Sequence, residues 1–300
     1  MNNLITVVVH INDGFDEYIG RPMRRYGLSG SIWGNPFKIG DEVEGRVLSR
    51  EDVIALYETR IRQKLAGPNG DWWRRQLEKL RGKRLGCWCS PKACHGDVLV
   101  KLLNELPLIA IEDRRLRLST IMDRHPGAAI IDVTSRAQPP WVKFSPFYPH
   151  NHIPVPYSPG WQSSSVEGIW QGLKVFSGAD VDTAKFGITS MRGLKRTPSH
   201  SGRVLGHRRG VGGDELLGYY QARVQIYLPS YKWVLDHCLQ AEVALLREMI
   251  GPQHRPIVLL DYDTNADLEN LSGPLSHAAL VALYVQDQWP QGQFSHLFRQ

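Results

Sequence analysis

The segment Ser165-Val166-Glu167-Gly168-Ile169-Trp170-Gln171-Gly172-Leu173-Lys174 carries residue types that can do chemistry. On a helix, Glu167, Trp170, Gln171 and Lys174 stand at i, i+3, i+4 and i+7 and share one stripe. Ile169, Leu173 and Phe176 form a second, apolar stripe that can dock on a core. The first stripe offers an acid, an aromatic plate, an amide and an amine. A carboxylate activates water or steadies an oxocarbenium-like centre. A lysine desolvated enough to be neutral attacks an anomeric carbon. The set suits cleavage of a C–N bond to a sugar, with Glu167 and Lys174 catalytic. The same spacing also describes a solvated Glu–Lys face with Trp and Gln as packing.

Upstream stands Phe144-Ser145-Pro146-Phe147-Tyr148-Pro149. This aromatic stretch, followed by a Ser-x-Glu-x-x-x-Gln-x-x-Lys helix, resembles the YbiA/NADAR family over roughly residues 128–290. Ser165, Glu167, Gln171 and Lys174 occupy the matching positions. The resemblance implies an N-glycosidase with an essential Glu167, a Lys174 that forms a Schiff base with the sugar, and a pocket lined by Phe147 and Tyr148. Substrates in that family include riboflavin-pathway pyrimidine nucleotides and ADP-ribose on guanine in DNA. The family's closing Trp-Gly pair and Asn-Leu-Leu-Gly helix are absent. In their place stand Leu260-Asp261-Tyr262-Asp263-Thr264-Asn265 and Pro274-Leu275-Ser276-His277-Ala278. An Asp-x-Asp-Thr-Asn turn leaving a buried strand is either ligand-facing or a helix-capping turn. Asp261, Asp263, Asn265 and His277 are accordingly candidate substrate contacts, with Trp161 and Trp170 as aromatic walls.

The first third has its own motifs: Gly20-Arg21-Pro22, Trp33-Gly34-Asn35-Pro36-Phe37, Cys87-Trp88-Cys89-Ser90-Pro91 and Cys94-His95-Gly96-Asp97. They resemble a small uncharacterised bacterial and phage domain family. That company suggests a setting in antiviral defence. Cys87, Cys89, Cys94 and His95 have ligand types that zinc accepts, but paired C-x2-C knuckles are missing and Cys94 and His95 are adjacent. Buried structural cysteines are therefore the expectation, and no metal or cofactor is assigned. A thiolate at Cys94 or a phosphate near Arg21 and Asn35 are further uses of the same helix start. Cys238 stands alone and reads as a core residue.

The net charge is +6. Residues 1–104 hold 17 Lys and Arg against 12 acids, while the rest is nearly balanced. Between Asp182 and Asp214 there is no acid, yet Lys185, Arg192, Lys195, Arg196, Arg203, Arg208 and Arg209 occur. Such a run attracts polyanions. DNA is the expected partner, contacted by Arg192, Lys195, Arg196, Arg203, Arg208, Arg209 and Arg21. No apolar stretch reaches membrane-spanning length and no signal peptide is evident, so a cytoplasmic protein without membrane contact is expected.

These residues need elements to hold them. Residues 4–11 read as a strand, 50–66 as a helix N-capped by Ser49 with Asp52 three positions on, 71–81 as a helix, 83–89 as a strand and 97–105 as a helix. That is a small α/β domain, residues 1–105. Residues 106–127 read as a connector. Residues 128–300 read as an α+β, mostly helical, YbiA/NADAR-like domain. It has a strand at 128–135, a helix at 166–177, a strand or helix start at 219–229, a long helix at 230–250, a strand at 256–261 and a helix at 276–284. The leading expectation is hydrolysis of the glycosidic bond of a modified nucleobase in DNA. The alternatives are release of ADP-ribose from guanine, hydrolysis of a free nucleotide, and a non-enzymatic nucleotide-sensing or DNA-binding module.

Overall fold

The computed structural model describes residues 5–43, 45–251 and 255–290. Leu4, the start of the first expected strand, lies outside them, as do residues 291–300 of the second expected domain. The chain divides into two compact units. One comprises Met1–Leu108, Leu118–Ala128 and Ile250–Pro256, the other Ile109–Arg117, Ala129–Met249 and Ile257–Gln300.

The first unit has a three-stranded sheet made of β1 (Val7–His10), β2 (Glu17–Tyr18) and β3 (Arg84–Cys87). The order is β1-β3-β2 and both pairings are parallel, with Val7 opposite Arg84 and Glu17 opposite Leu85. Helices α1 (Arg50–Ala66), α2 (Gly70–Glu78) and α3 (His95–Glu105) supply the apolar faces. The α1 start follows from its sequence: the Ser49 hydroxyl accepts from the Asp52 amide, and the Asp52 carboxylate accepts from the Ser49 amide. This reciprocal cap satisfies two amides that the helix itself leaves unpaired. Tyr57 and Ile61 on α1 pack with Ile19, Leu85, Leu99 and Leu102 in one core, and the Tyr57 hydroxyl donates to the Trp33 carbonyl at 2.7 Å.

The expected connector is not a connector. Ile109–Asp113 forms β4, the helix α4 spans Leu118–Arg124, and Ala129–Asp132 forms β5. Strand β4 belongs to the sheet of the second unit. Its partner, β9 (Ile257–Asp261), pairs in parallel with both β4 and β5, in the order β4-β9-β5. The pairing Ile257–Ile109 spans about half of the chain, so nothing local to residues 106–127 announces it.

The site-bearing helix α5 is Val166–Gly172, shorter than expected. Lys174–Phe176 is a strand, β6, which pairs antiparallel with β7 (Val204–Arg208); β8 (Leu216–Leu217) pairs with β7 in turn. The helix stops because outside donors take its last carbonyls. The Asp182 amide binds the Gly172 carbonyl and the Arg208 amide binds the Leu173 carbonyl, both at 2.8 Å. Residues 219–229 are helical: α6 (Tyr219–Ala222) runs through a π-helical turn, Arg223–Tyr227, into α7 (Leu228–His237). The expected long helix is two, since α8 begins at Gln240 and runs to Ile250 after a break at Cys238-Leu239. Cys238 is half-buried rather than in the core. The last helix, α9, is His277–Val285, buried along most of its length. Among the described residues no helix is long and apolar enough to cross a membrane.

Candidate active site

Helix α5 is held at close range by its glycines. A Cβ at Gly168 would stand 2.7 Å from Ser163 Oγ and 2.9 Å from the Lys185 carbonyl; one at Gly172 would stand 2.3 Å from a Phe186 ring carbon. Ser165, fully buried, caps the helix by accepting from the Gly168 amide at 3.0 Å. The Glu167 amide donates to the Pro146 carbonyl at 2.8 Å, which ties the aromatic stretch to the first helical turn. Glu167, Trp170 and Gln171 are thereby presented to a cavity of about 640 Å³, with Lys174 on β6 beside them.

Gln171 links the two candidate catalytic groups. Its Nε2 donates to Glu167 Oε1 at 2.8 Å, and its Oε1 accepts from Lys174 Nζ at 3.3 Å and from the Arg196 amide at 3.0 Å. With two donors on its oxygen, the amide has one orientation. Burial raises the Glu167 carboxyl above its ordinary value, with Gln171 and Lys174 pulling the other way. Burial lowers the Lys174 ammonium, opposed by Glu167. Both groups lean toward their neutral forms, as desolvation requires.

Aromatic and polar walls complete the cavity. Trp170 lies against the His207 ring with centroids 3.8 Å apart, and Tyr227 and Phe147 face the same space. His207 is buried, and neither ring nitrogen has a hydrogen-bond partner among the described residues. Burial and the adjacent Lys174 hold its pKa down to about 3, so it is neutral. Arg223 is fully buried and donates to the Leu268 and Asn270 carbonyls at 3.1 and 2.8 Å and to the Gly273 carbonyl. It pins the segment leading to α9. Opposite α5, at the carboxyl end of the central strand β9, Asp261 Oδ2 meets His277 Nδ1 at 2.9 Å and accepts from the Ser276 hydroxyl at 2.7 Å. His277 Nε2 faces the Val133 carbonyl at 2.9 Å. Carbonyl and carboxylate both only accept, so the ring carries both protons. Burial works to raise Asp261, but His277 and Ser276 outweigh it and the carboxyl is lowered. Burial works to lower His277, but Asp261 outweighs it and the imidazole is raised. Burial and Asp261 together raise Asp263. A crevice outside the carboxyl ends of parallel strands is where open α/β sheets bind ligands.

Residues 113–281, more than half of the chain, match a single family, described as "Family of unknown function (DUF6939)". The chain belongs to that family. Every residue of the cavity falls inside the matched span. Residues 9–105 match a second description, "Domain of unknown function (DUF4326)". The chain is also 34% identical over 106 residues to the "Uncharacterized 12.4 kDa protein in nrdA-td intergenic region" of Enterobacteria phage T4, a match covering 35% of this chain and 83% of that protein. No solved structure matches.

The cavity gathers Glu167, Trp170, Gln171, Lys174, Phe147, Asp261, Asp263 and His277, but not all the expected contacts. Tyr148 packs on His150, and Ser165 is spent on the helix cap. Trp161 is 43% exposed and lies edge-on to Phe186, away from the cavity. Asn265 orders its own loop, donating to the Asn270 carbonyl and accepting from the Asp267 amide. The basic run is also partly consumed. Arg196 donates to the Lys174 and Asp180 carbonyls, Arg208 grips Asp180 through Nε and Nη2, and Arg209 pairs with Glu215. Arg192, Lys195 and Arg203 stay exposed, and Lys195 also borders the cavity. Arg21 is exposed and lies in the first unit. His207, Arg223 and Tyr227 are among the residues of the site that escape sequence reasoning. A cue existed for Arg223, a lone charge within Tyr219-Tyr220-Gln221-Ala222-Arg223-Val224-Gln225-Ile226-Tyr227.

Proposed function

We propose that the second unit is an N-glycosidase that hydrolyses the bond between a nucleobase and its sugar. One observation carries this reading: a buried acid and a half-buried amine, bridged by Gln171, open onto an aromatic-walled cavity. The motif likeness to YbiA/NADAR proteins agrees with it. The cavity volume lies within the range of sites for nucleotide-sized ligands. A base stacks on the aromatic wall with C1′ toward α5. Glu167, whose burial favours the protonated form, gives its proton to the departing base. The Lys174 amine bonds to C1′ as the C–N bond breaks, and ring opening leaves an imine, one amine proton returning to Glu167 and the other passing to the ring oxygen. Water then adds to that imine, returning the sugar as an aldehyde and Lys174 as an amine. The net reaction consumes one water and releases the free base.

The preferred substrate is a modified base in DNA, flipped out of the stack to reach the cavity. The exposed side chains of Arg192, Lys195 and Arg203 support this reading as partners for its phosphates. A second reading, a free nucleotide or an ADP-ribosyl group on guanine, is favoured by the internal bonds that occupy Arg196, Arg208 and Arg209. The deciding experiment incubates the full chain with single- and double-stranded DNAs carrying modified or ADP-ribosylated bases, and with free nucleotides. Mass spectrometry reads released base, abasic sites and ADP-ribose. Base release that Glu167→Gln abolishes is the expected result. No C–N cleavage of any substrate refutes the reading.

A further inference from the structure

A second cavity, of about 400 Å³, lies within the first unit. It opens at the carboxyl ends of two parallel strands, where Tyr18 ends β2 and Cys87 ends β3. Among the described residues, Cys87, Cys94 and His95 are the His, Cys and acid side chains grouped closely enough to hold a metal, their ligand atoms all within 4.8 Å of one another. All three are buried. We propose that this unit binds one Zn²⁺ through Cys87 Sγ, Cys94 Sγ and His95 Nδ1, leaving the fourth coordination position open to the cavity.

Neighbouring ligands such as Cys94 and His95 look ill-suited in sequence, because successive side chains of an extended chain diverge. Here the chain turns between them. Cys94 is the extended N-cap (φ −152°, ψ 178°) and His95 the first residue of α3, so both side chains come back toward Cys87. His95 Nε2 lies 2.9 Å from the Ile19 carbonyl, an atom that only accepts. The ring proton therefore sits on Nε2, which leaves Nδ1 as the acceptor that meets the Cys87 thiol. A carbonyl that fixes the far nitrogen of a histidine is the usual outer-shell partner of a metal-bound imidazole. Cys94 Sγ accepts from the Gly96 amide at 3.3 Å, a donor that favours thiolate over thiol.

The scaffold around the three is stiff. A Cβ at Gly96 would stand 2.8 Å from Ile19 Cδ1 and 2.9 Å from a Val8 methyl, so only glycine lets α3 start this close to the sheet. Asp97 accepts from the Cys94 amide at 2.8 Å, and Arg50 donates to the Ala93 carbonyl at 3.1 Å, fixing the loop before α3. Zinc takes thiolate at about 2.3 Å and imidazole at about 2.0–2.1 Å in a tetrahedron. Drawing the three ligand atoms onto one ion needs movements of about 1 Å, within side-chain reach. Two thiolates and an imidazole match the softness of zinc, and three protein ligands with one open position is the pattern of zinc sites that bind a water or substrate. Arg21 and Arg50 on the same cavity wall suit a negatively charged fourth ligand.

The test uses the full chain, reduced, equilibrated with zinc and freed of excess. Elemental analysis should find one zinc per chain. His95→Gln and Cys94→Ser should weaken zinc by at least the roughly 10–100-fold that losing an outer-shell partner costs. Cys89→Ser and Cys238→Ser should keep the full complement. Cobalt titration of the unaltered chain guards against variants that do not fold. It should give thiolate charge transfer and intense tetrahedral d–d bands saturating at one equivalent. Substoichiometric zinc, a pale octahedral cobalt spectrum, or loss of the metal in Cys89→Ser overturns the proposal.

Discussion

Replacing Glu167 by glutamine separates structure from chemistry at the proposed centre. The amide matches the carboxyl in shape, and its oxygen can still accept from Gln171 Nε2, which now donates at 2.8 Å. What goes is the ability to give a proton to a leaving base. Loss of a positioned general acid costs about 10²–10⁴ in rate, or roughly 3–5 kcal/mol of barrier. Stability should move the other way. Burial raises the Glu167 carboxyl, so the folded state binds a proton that the unfolded chain releases at its ordinary value of 4.5. Its contribution is complete below that value and is lost as pH rises through the raised folded value. The variant carries no such loss. Its urea midpoint should equal that of the parent in acid and exceed it progressively toward alkaline pH. Single-turnover base release and urea titrations across pH read both effects. A parental rate refutes the catalytic assignment. A variant less stable than the parent at alkaline pH refutes the buried, raised carboxyl.

Borohydride added during turnover should trap the chain on its substrate at Lys174, by peptide mapping; full turnover without an adduct, in a Lys174→Arg protein that stays active, assigns the attack to water. Gly172→Ala places a Cβ 2.3 Å from Phe186 and should cost about 1–3 kcal/mol by overpacking, seen in the urea midpoint, together with lost activity as α5 is pushed off its seat. Neutralising Arg192, Lys195 and Arg203 together should lower the slope of log affinity for DNA against log salt by up to about 3, while Arg208→Gln leaves it unchanged because Asp180 already holds that side chain. Asp261→Asn should destabilise by roughly 3–5 kcal/mol near neutrality. The lowered Asp261 contributes stability that is lost as pH falls through its folded value, and the raised His277 contributes stability lost as pH rises through its own, so the variant's stability–pH curve should be flatter on both sides.

The parts of the fold that could be read from sequence are those settled by neighbours in the chain. The Ser49–Asp52 cap and the apolar spacing of α1 are local, and so is the i, i+4 relation that brings Glu167 to Gln171. Lys174 was expected one helical turn further along the same stripe. It instead begins a strand, because Asp182 and Arg208 supply the donors that end the helix, and neither is signalled near residue 172. It still reaches Gln171, three residues away, so the constellation survives a wrong element. The aromatic residues were harder. Tyr148, Trp161 and Trp170 are alike in type, and only their packing on His150, Phe186 and His207 decides which of them faces the cavity. The same distance in sequence hid β4 within an expected connector, and it hid His207, which is close to Trp170 only through the β6–β7 pairing.

The order of strands in the second sheet has a consequence for the chain during synthesis. Among the described residues, strands β4 and β5 have no hydrogen-bonded neighbour in that sheet except β9, which is made after both and lies between them. On a ribosome the first unit's sheet has all three strands once Cys87 has emerged. The second sheet must wait until Asp261 has, some hundred and thirty residues after β5. Throughout that interval both strands lack the partner that will cover their edges, and uncovered edges recruit other chains. A nascent chain stalled before residue 257 would thus hold Glu167 and Lys174 without the wall that carries Asp261, and would need a chaperone more than the finished protein does.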